Sequence, residues 1–288
     1  MTVRTWFITG VNRGFGRLMT ERLQERGDRV AGTARKMDSL IDLKEKHGEQ
    51  LLLQPLDLTD TLAIRGVVDA AFAHFGRIDV VVNNAGYGLF GAAEEVLEEQ
   101  IVHQINTNLV GSIQVVRTAV PHLHAQGGGR ILQISSMGGQ IALPGLSLYH
   151  ATKWGIEGFF ESTIQDIPPF NIQVTIVEPG SARTNFAFGS AVMPEAVGAY
   201  AQTPAGDTRR IIEGGEYQPK VDPEKVVREI LASVEREPAP KRLTLGIDAY
   251  TMINAALNDR LAALEAQKDI ALSVDFDHPD GSDGGNAH

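Results

Sequence analysis

The 288-residue chain contains no cysteine. Disulfides, zinc–thiolate sites and cysteine nucleophiles are therefore excluded, and the absence fits a reducing, cytoplasmic setting. Basic residues are scarce, with 26 Lys and Arg against 36 Asp and Glu, leaving a net charge of −10. That balance argues against nucleic acid or an anionic membrane surface as a partner. No run approaches the roughly 18 apolar residues of a membrane span, and residues 1–10, MTVRTWFITG, lack the hydrophobic stretch of a signal peptide. Internal repeats are missing, as is any composition break that would mark a second domain. We therefore expect one domain over residues 1–270, with 271–288 as a disordered tail.

What is present is an alternation of strand-like and helical segments. Strands are expected at residues 3–9, 29–34, 51–56, 78–82, 130–135, 172–177 and 242–245, with helices between them at 17–26, from about 60, in two stretches within 94–126, at 147–166, at 222–235 and at 248–267. Residues 181–221 lack clear periodicity and read as a lid or binding loop. Such alternation predicts an α/β fold: a doubly wound, Rossmann-type, mostly parallel sheet with helices on both faces. Ligands of such sheets bind at the carboxyl ends of the strands.

The chemistry-bearing residues fall at that edge. The first strand runs into Gly10, Gly14 and Gly16 and then a helix, a context in which bare backbone and a helix N-terminus receive phosphate. The second strand ends Thr33-Ala34-Arg35-Lys36 with no carboxylate for a ribose 2′-hydroxyl. Arg35, and Arg13 in the glycine turn, suit a 2′-phosphate instead, so NADP(H) is preferred over NAD(H), which remains possible. Both arginines would equally serve as solvated surface charge. Asp57 would cap the following helix, the commoner role, or accept from an adenine amino group. The fourth strand ends in Asn83-Asn84-Ala85-Gly86. Asn106 and Asn108 are mediocre helix formers inside a helical run, an anomaly that a functional amide or a kink would explain. His122 and His124 are read as charges at a helix end, not as metal ligands.

The stretch 136–153, SMGGQIALPGLSLYHATK, places Tyr149 and Lys153 four residues apart on one helical face, with Ser136 at the end of the preceding strand. A phenol titrates near 10, and a lysine ammonium held beside it should favour the phenolate and draw that value down. Tyr-x-x-x-Lys alone is common by chance; its convergence with the glycine turn is what gives it weight.

Together these residues resemble the short-chain dehydrogenase/reductase family, in its compact single-domain branch. The matching motifs are TGVNRGFG (9–16), DL (57–58), NNAG (83–86), NTNLVG (106–111), ISS (134–136), YHATK (149–153) and EPG (178–180), in family order over about residues 3–250. The resemblance implies reversible hydride transfer between a nicotinamide and a carbonyl or secondary alcohol. It implies Tyr149 as acid/base, Lys153 as the group that lowers its pKa and holds the ribose, and Ser136, rather than Ser135, as the group on the substrate oxygen. Asn108, rather than Asn106, would join a proton relay. Gly10, Gly14 and Gly16 would line the pyrophosphate, with Asn12, Arg13 and Phe15 of the same turn also against the cofactor. Asp57 and Leu58 would flank adenine. Asn83, Ala85 and Gly86 would back the ribose and adenine, Pro179 and Gly180 would border the nicotinamide, and Thr184 would bond its carboxamide. The wording is closest to bacterial relatives of retinol and 17β-hydroxysteroid dehydrogenases, which implies an apolar substrate. Leu89, Phe90, Phe186, Phe188, Val192, Met193 and the stretch 143–146 would shape its pocket. Members commonly form homodimers or homotetramers. An extended-branch epimerase would carry a different glycine spacing. A non-enzymatic NAD(P)-binding sensor would have no need of Asn108, Ser136, Tyr149 and Lys153 together.

Overall fold

A computed structural model of the chain describes residues 3–184, 186–189 and 191–276. In chain order the elements are β1 (Thr5–Thr9), α1 (Gly14–Glu25), β2 (Arg29–Ala34), α2 (Ile41–His47), β3 (Leu51–Pro55), α3 (Thr61–Phe75), β4 (Val80–Asn83), α4 (Glu98–Ile105), α5 (Gly111–Ala125), β5 (Gly129–Ile134), α6 (Ser147–Asp166), β6 (Ile172–Pro179), α7 (Phe186–Gly189), α8 (Pro204–Glu213), α9 (Pro223–Ser233), β7 (Arg242–Leu245), α10 (Ile247–Glu265) and α11 (Lys268–Leu272). The strands form one sheet in the order β3-β2-β1-β4-β5-β6-β7. Every pairing is parallel.

Strand side chains alternate between faces, and the two faces meet different helices. Trp6 and Ile8 of β1, with Val80 and Val82 of β4, pack with Met19 and Leu23 of α1 and Val226, Val227 and Ile230 of α9. Phe7 and Val81 point the other way, against Ile64, Val68 and Phe72 of α3, Val115 and Ala119 of α5, and Ile156 and Phe160 of α6. Burial on both faces is why these strands read as near-continuous apolar runs. Each fully buried Ile or Phe contributes roughly 1.5–3 kcal/mol relative to exposure.

Three expectations change. Residues 181–221 are not a bare loop, because α8 lies within them. Thr203 Oγ1 caps that helix, and Pro204 opens it. The cap of α3 is Asp60, whose carboxylate accepts from Leu62 N at 3.1 Å and Ala63 N at 2.9 Å. Asp57 instead accepts from Thr59 N and Thr59 Oγ1, both at 2.9 Å. Finally, α11 reaches into the first residues of the expected tail; residues 277–288 lie outside the described residues. Between α4 and α5 the chain makes a π-turn over Asn106–Val110, a local widening that accounts for the two asparagines.

Candidate active site

The carboxyl ends of the strands open into a cleft of about 920 Å³. Its first wall is the glycine turn between β1 and α1. Gly10 and Gly14 have φ of 74° and 56°, the left-handed region that favours glycine. Asn84 holds the turn from beneath, donating from Nδ2 to Thr9 O at 2.8 Å and Gly10 O at 3.1 Å. A Cβ on Gly16 would run into the Gly10 carbonyl, so Gly16 serves the packing of the turn and does not line the cleft. The N-terminus of α1 has no acidic residue in its first turn and no side-chain cap. Its free N–H groups, the bare backbone of Gly14 at the cleft wall and Arg13 beside them fit a dinucleotide pyrophosphate.

Asn12, Arg13, Phe15, Arg35, Asp57, Leu58, Ala85, Gly86, Pro179, Gly180 and Thr184 also line the cleft, as do Asn84 and Lys36. Besides Gly16, two residues of the expected set do not. Asn83 turns its amide to Ser112 O at 3.0 Å. Asn108 is 1% exposed and is not in the wall. Its Nδ2 donates to Tyr87 O at 2.8 Å and Thr152 Oγ1 at 3.3 Å, and its Oδ1 accepts from Tyr87 N at 3.1 Å. Asn108 thus ties the strand-end loop to α6. Arg13 also crosses the cleft, donating from Nη1 to Gly189 O at 2.8 Å. It thereby joins the glycine turn to the segment that carries α7.

Ser136, Tyr149 and Lys153 line the same cleft. Ser136 ends the β5 side, and its Oγ accepts from Gly138 N at 3.0 Å. One helical turn of α6 puts Lys153 Nζ 5.7 Å from the centre of the Tyr149 ring. That ammonium donates to Ile134 O at 2.9 Å. Lowering of the phenol's pKa is not what this arrangement gives. Burial dominates and pushes Tyr149 up to about 12, with the Ser136 hydroxyl, hydrogen-bonded to it, pulling the other way. Burial likewise pushes Lys153 down to about 8, against the support of Glu157. Ser135, next to Ser136, is engaged elsewhere: its Oγ donates to Glu157 Oε1 at 2.5 Å. His150 braces the loop in front. Leu143 N donates to its Nε2 at 2.9 Å, so the proton sits on Nδ1, which donates to Gly138 O at 2.8 Å.

Beyond Tyr149 the cleft is apolar. Phe90, Leu143, Leu146 and Ile212 pack around the phenol with Phe186 and Met193. Leu89 and Val192 form a bridge between the strand-end loop and the 181–221 segment, and Phe90 N donates to Val192 O at 2.8 Å. The side chain of Phe188 lies outside the described ones. The segment is pinned by Glu95, whose Oε2 accepts from Arg209 Nη2 at 3.1 Å and Ala92 N at 2.7 Å, while its Oε1 accepts from Val197 N at 3.0 Å. Asn84 stands inside the NNAG motif of the sequence, which does not reveal its clamping role, whereas Glu95 carries no local signal.

Among the described residues no group of His, Asp or Glu has metal-holding geometry, and no helix is long and apolar enough to cross a membrane.

Comparison with known proteins finds relatives that match this chain over nearly its whole length and share its fold. The family model for short chain dehydrogenase matches residues 4–191. An oxidoreductase of Botryotinia fuckeliana, BOA17, is 34% identical over 271 residues, spanning 94% of this chain and 98% of that protein. A 3-ketodihydrosphingosine reductase of Bacteroides thetaiotaomicron is 36% identical over 62% of this chain and 64% of its own length. The crystal structure of a short-chain dehydrogenase from Streptomyces avermitilis superposes with a TM-score of 0.88 at 36% identity, covering 95% of this chain and 99% of the other.

Proposed function

The chain belongs to the short-chain dehydrogenase family, and from that premise we propose that it is an NADP(H)-preferring oxidoreductase acting on a carbonyl or secondary alcohol of an apolar substrate. One observation carries the reading: a hydroxyl, a buried phenol and a buried ammonium line the same cleft as a bare glycine turn at a helix N-terminus. When bound, the nicotinamide supplies or accepts the hydride.

The chain's own residues do the rest. In reduction the Ser136 hydroxyl holds the substrate oxygen, and Tyr149 Oη gives that oxygen its proton as negative charge develops. A phenol raised to about 12 keeps its proton until the substrate oxygen becomes a stronger base. Lys153 supplies positive charge beside the phenolate that results. Apolar side chains around Tyr149 keep water from the reacting atoms and favour a hydrophobic substrate. The preference for NADP(H) is supported by Arg35, which lines the cleft at the end of β2 where no carboxylate stands. Arg13, in the glycine turn after the neighbouring strand, offers a second guanidinium.

The test is Tyr149→Phe. Proton transfer by a positioned acid contributes ~10²–10⁴-fold. Turnover of NADPH against a panel of apolar ketones should fall by that much, with NADPH binding intact. Wild-type turnover in the phenylalanine variant would overturn the assignment.

A further inference from the structure

Behind the catalytic corner lies a second cluster of charge, which the proton transfer just described does not use. Glu157, one turn beyond Lys153 on α6, is 3% exposed, and Glu178 at the end of β6 is 0% exposed. Arg242 of β7 lies between them. It donates from Nη1 to Glu157 Oε2 at 2.6 Å, pairs also with Glu178, and reaches Glu161 Oε1 through Nη2 at 2.6 Å. Glu178 is further satisfied by Gln140 Nε2 at 2.8 Å and Thr244 Oγ1 at 2.9 Å. Both oxygens of Glu157 are thus taken, one by Arg242 and one by the Ser135 hydroxyl at 2.5 Å. A buried carboxylate persists as an ion only when paired and hydrogen-bonded in this way.

The consequence lies on the other side of Glu157. Lys153 is 7% exposed, and the hydrogen bond from its Nζ goes to a neutral carbonyl, Ile134 O. Its charge must be met through space. The ionisable groups around it are Tyr149 and Glu157 on its own helix; Arg242, Glu178 and Glu161 stand around Glu157, and His150 and Tyr217 stand around Tyr149. Signs therefore alternate from Arg242 through Glu157 to Lys153 and end at the phenol.

We propose that Glu157, held ionised by Arg242 and Ser135, is a positioning residue that keeps the Lys153 ammonium charged beside Tyr149. Burial works against both members. It pushes Lys153 down to about 8, with Glu157 opposing, and it pushes Glu157 up, with the Arg242 and Ser135 hydrogen bonds opposing. The network thus reaches from the last strand of the sheet to the proton donor without touching substrate.

The link to catalysis rests on the oxidoreductase reading, so the first readout is independent of turnover. In the full chain labelled with ¹³Cε-lysine, the Lys153 resonance is identified by its loss in Lys153→Arg and followed against pH. Glu157→Gln should lower its midpoint by roughly one pH unit. Glu161→Gln, on the exposed side of Arg242, should leave it in place. Ser135→Ala, a milder change that keeps the carboxylate, should move it the same way by less, and stands in should Glu157→Gln not fold. With turnover in hand, the basic limb of kcat for reduction should move by the same amount, whereas a purely structural role would lower Tm and leave the limb fixed. An unmoved Lys153 midpoint in the folded variants would overturn the proposal. A moved midpoint in a protein that turns over no carbonyl would support it while failing the oxidoreductase reading.

Discussion

At the scale of single residues, burial and pairing act in opposite directions on the same side chains. Lys153 shows this most clearly. Its folded-state value of about 8 lies below the ordinary 10.5, so the folded protein binds this proton less tightly than the unfolded chain. Stability on this account is lowest below pH 8, rises as pH climbs from about 8 to 10.5, and is level above that. The difference is worth on the order of 3 kcal/mol. The lost Nζ–Ile134 hydrogen bond would return ~1 kcal/mol of it. Lys153→Met should therefore be more stable than the wild type at pH 7, with the gap closing toward pH 10.5 in paired thermal melts. An equal gap at both pH values would show that burial is not the cause. A second expectation concerns cofactor choice. Charge-assisted hydrogen bonds contribute ~1.5–3 kcal/mol, so Arg35→Ala should raise the KM for NADPH ~10- to 100-fold and leave that for NADH nearly unchanged. The sequence pointed to Ser136, Tyr149, Lys153, Gly10 and Gly14, and all of them line the cleft. The direction of the tyrosine's pKa was not legible. It depends on how completely α6 is covered, and no local spacing reports that.

Among the elements, what could be read in advance was whatever a local rule dictates. The sheet strands follow from apolar runs, and α6 stops ahead of Pro168-Pro169 as proline chemistry requires. α8 was missed although its signals are present: Thr203 at the cap, Pro204 at the first position, and Gly214-Gly215 after the end. Its surroundings, rich in glycine, alanine and proline, hid a helix of 10 residues. The Glu95–Arg209 pair that fastens α8 lies 114 positions apart in sequence, beyond any motif window. Burial alone would raise the Glu95 carboxyl, but the Val197 and Ala92 N–H groups and Arg209 outweigh it and hold the group below the usual carboxylate range. Glu95→Ala would leave the Val197 and Ala92 N–H groups unmatched and take from Arg209 one of its two carboxylate partners, Glu213 remaining, a loss of ~3 kcal/mol. We expect a lower Tm and a raised KM for apolar ketones, with NADPH affinity unchanged. Asp60→Ala gives the contrast, costing ~1 kcal/mol through its lost cap and leaving both constants alone.

For the molecule as a whole, the doubly wound topology was legible because handedness and short connections leave few alternatives once seven strands alternate with helices. Assembly was not. Leu257, Leu261 and Leu264 on α10 are 48%, 56% and 59% exposed, in a row spaced four and three residues apart. The hydrogen bond from Arg13 to Gly189 bears on the order of events. A 2′-phosphate offers that guanidinium a charge-assisted partner, stronger than the neutral carbonyl it now holds. Loading with the phosphorylated dinucleotide should accordingly unlatch the 181–221 segment, while NADH leaves it fastened. Protease nicking there would then tell the two nucleotides apart before any ketone is added.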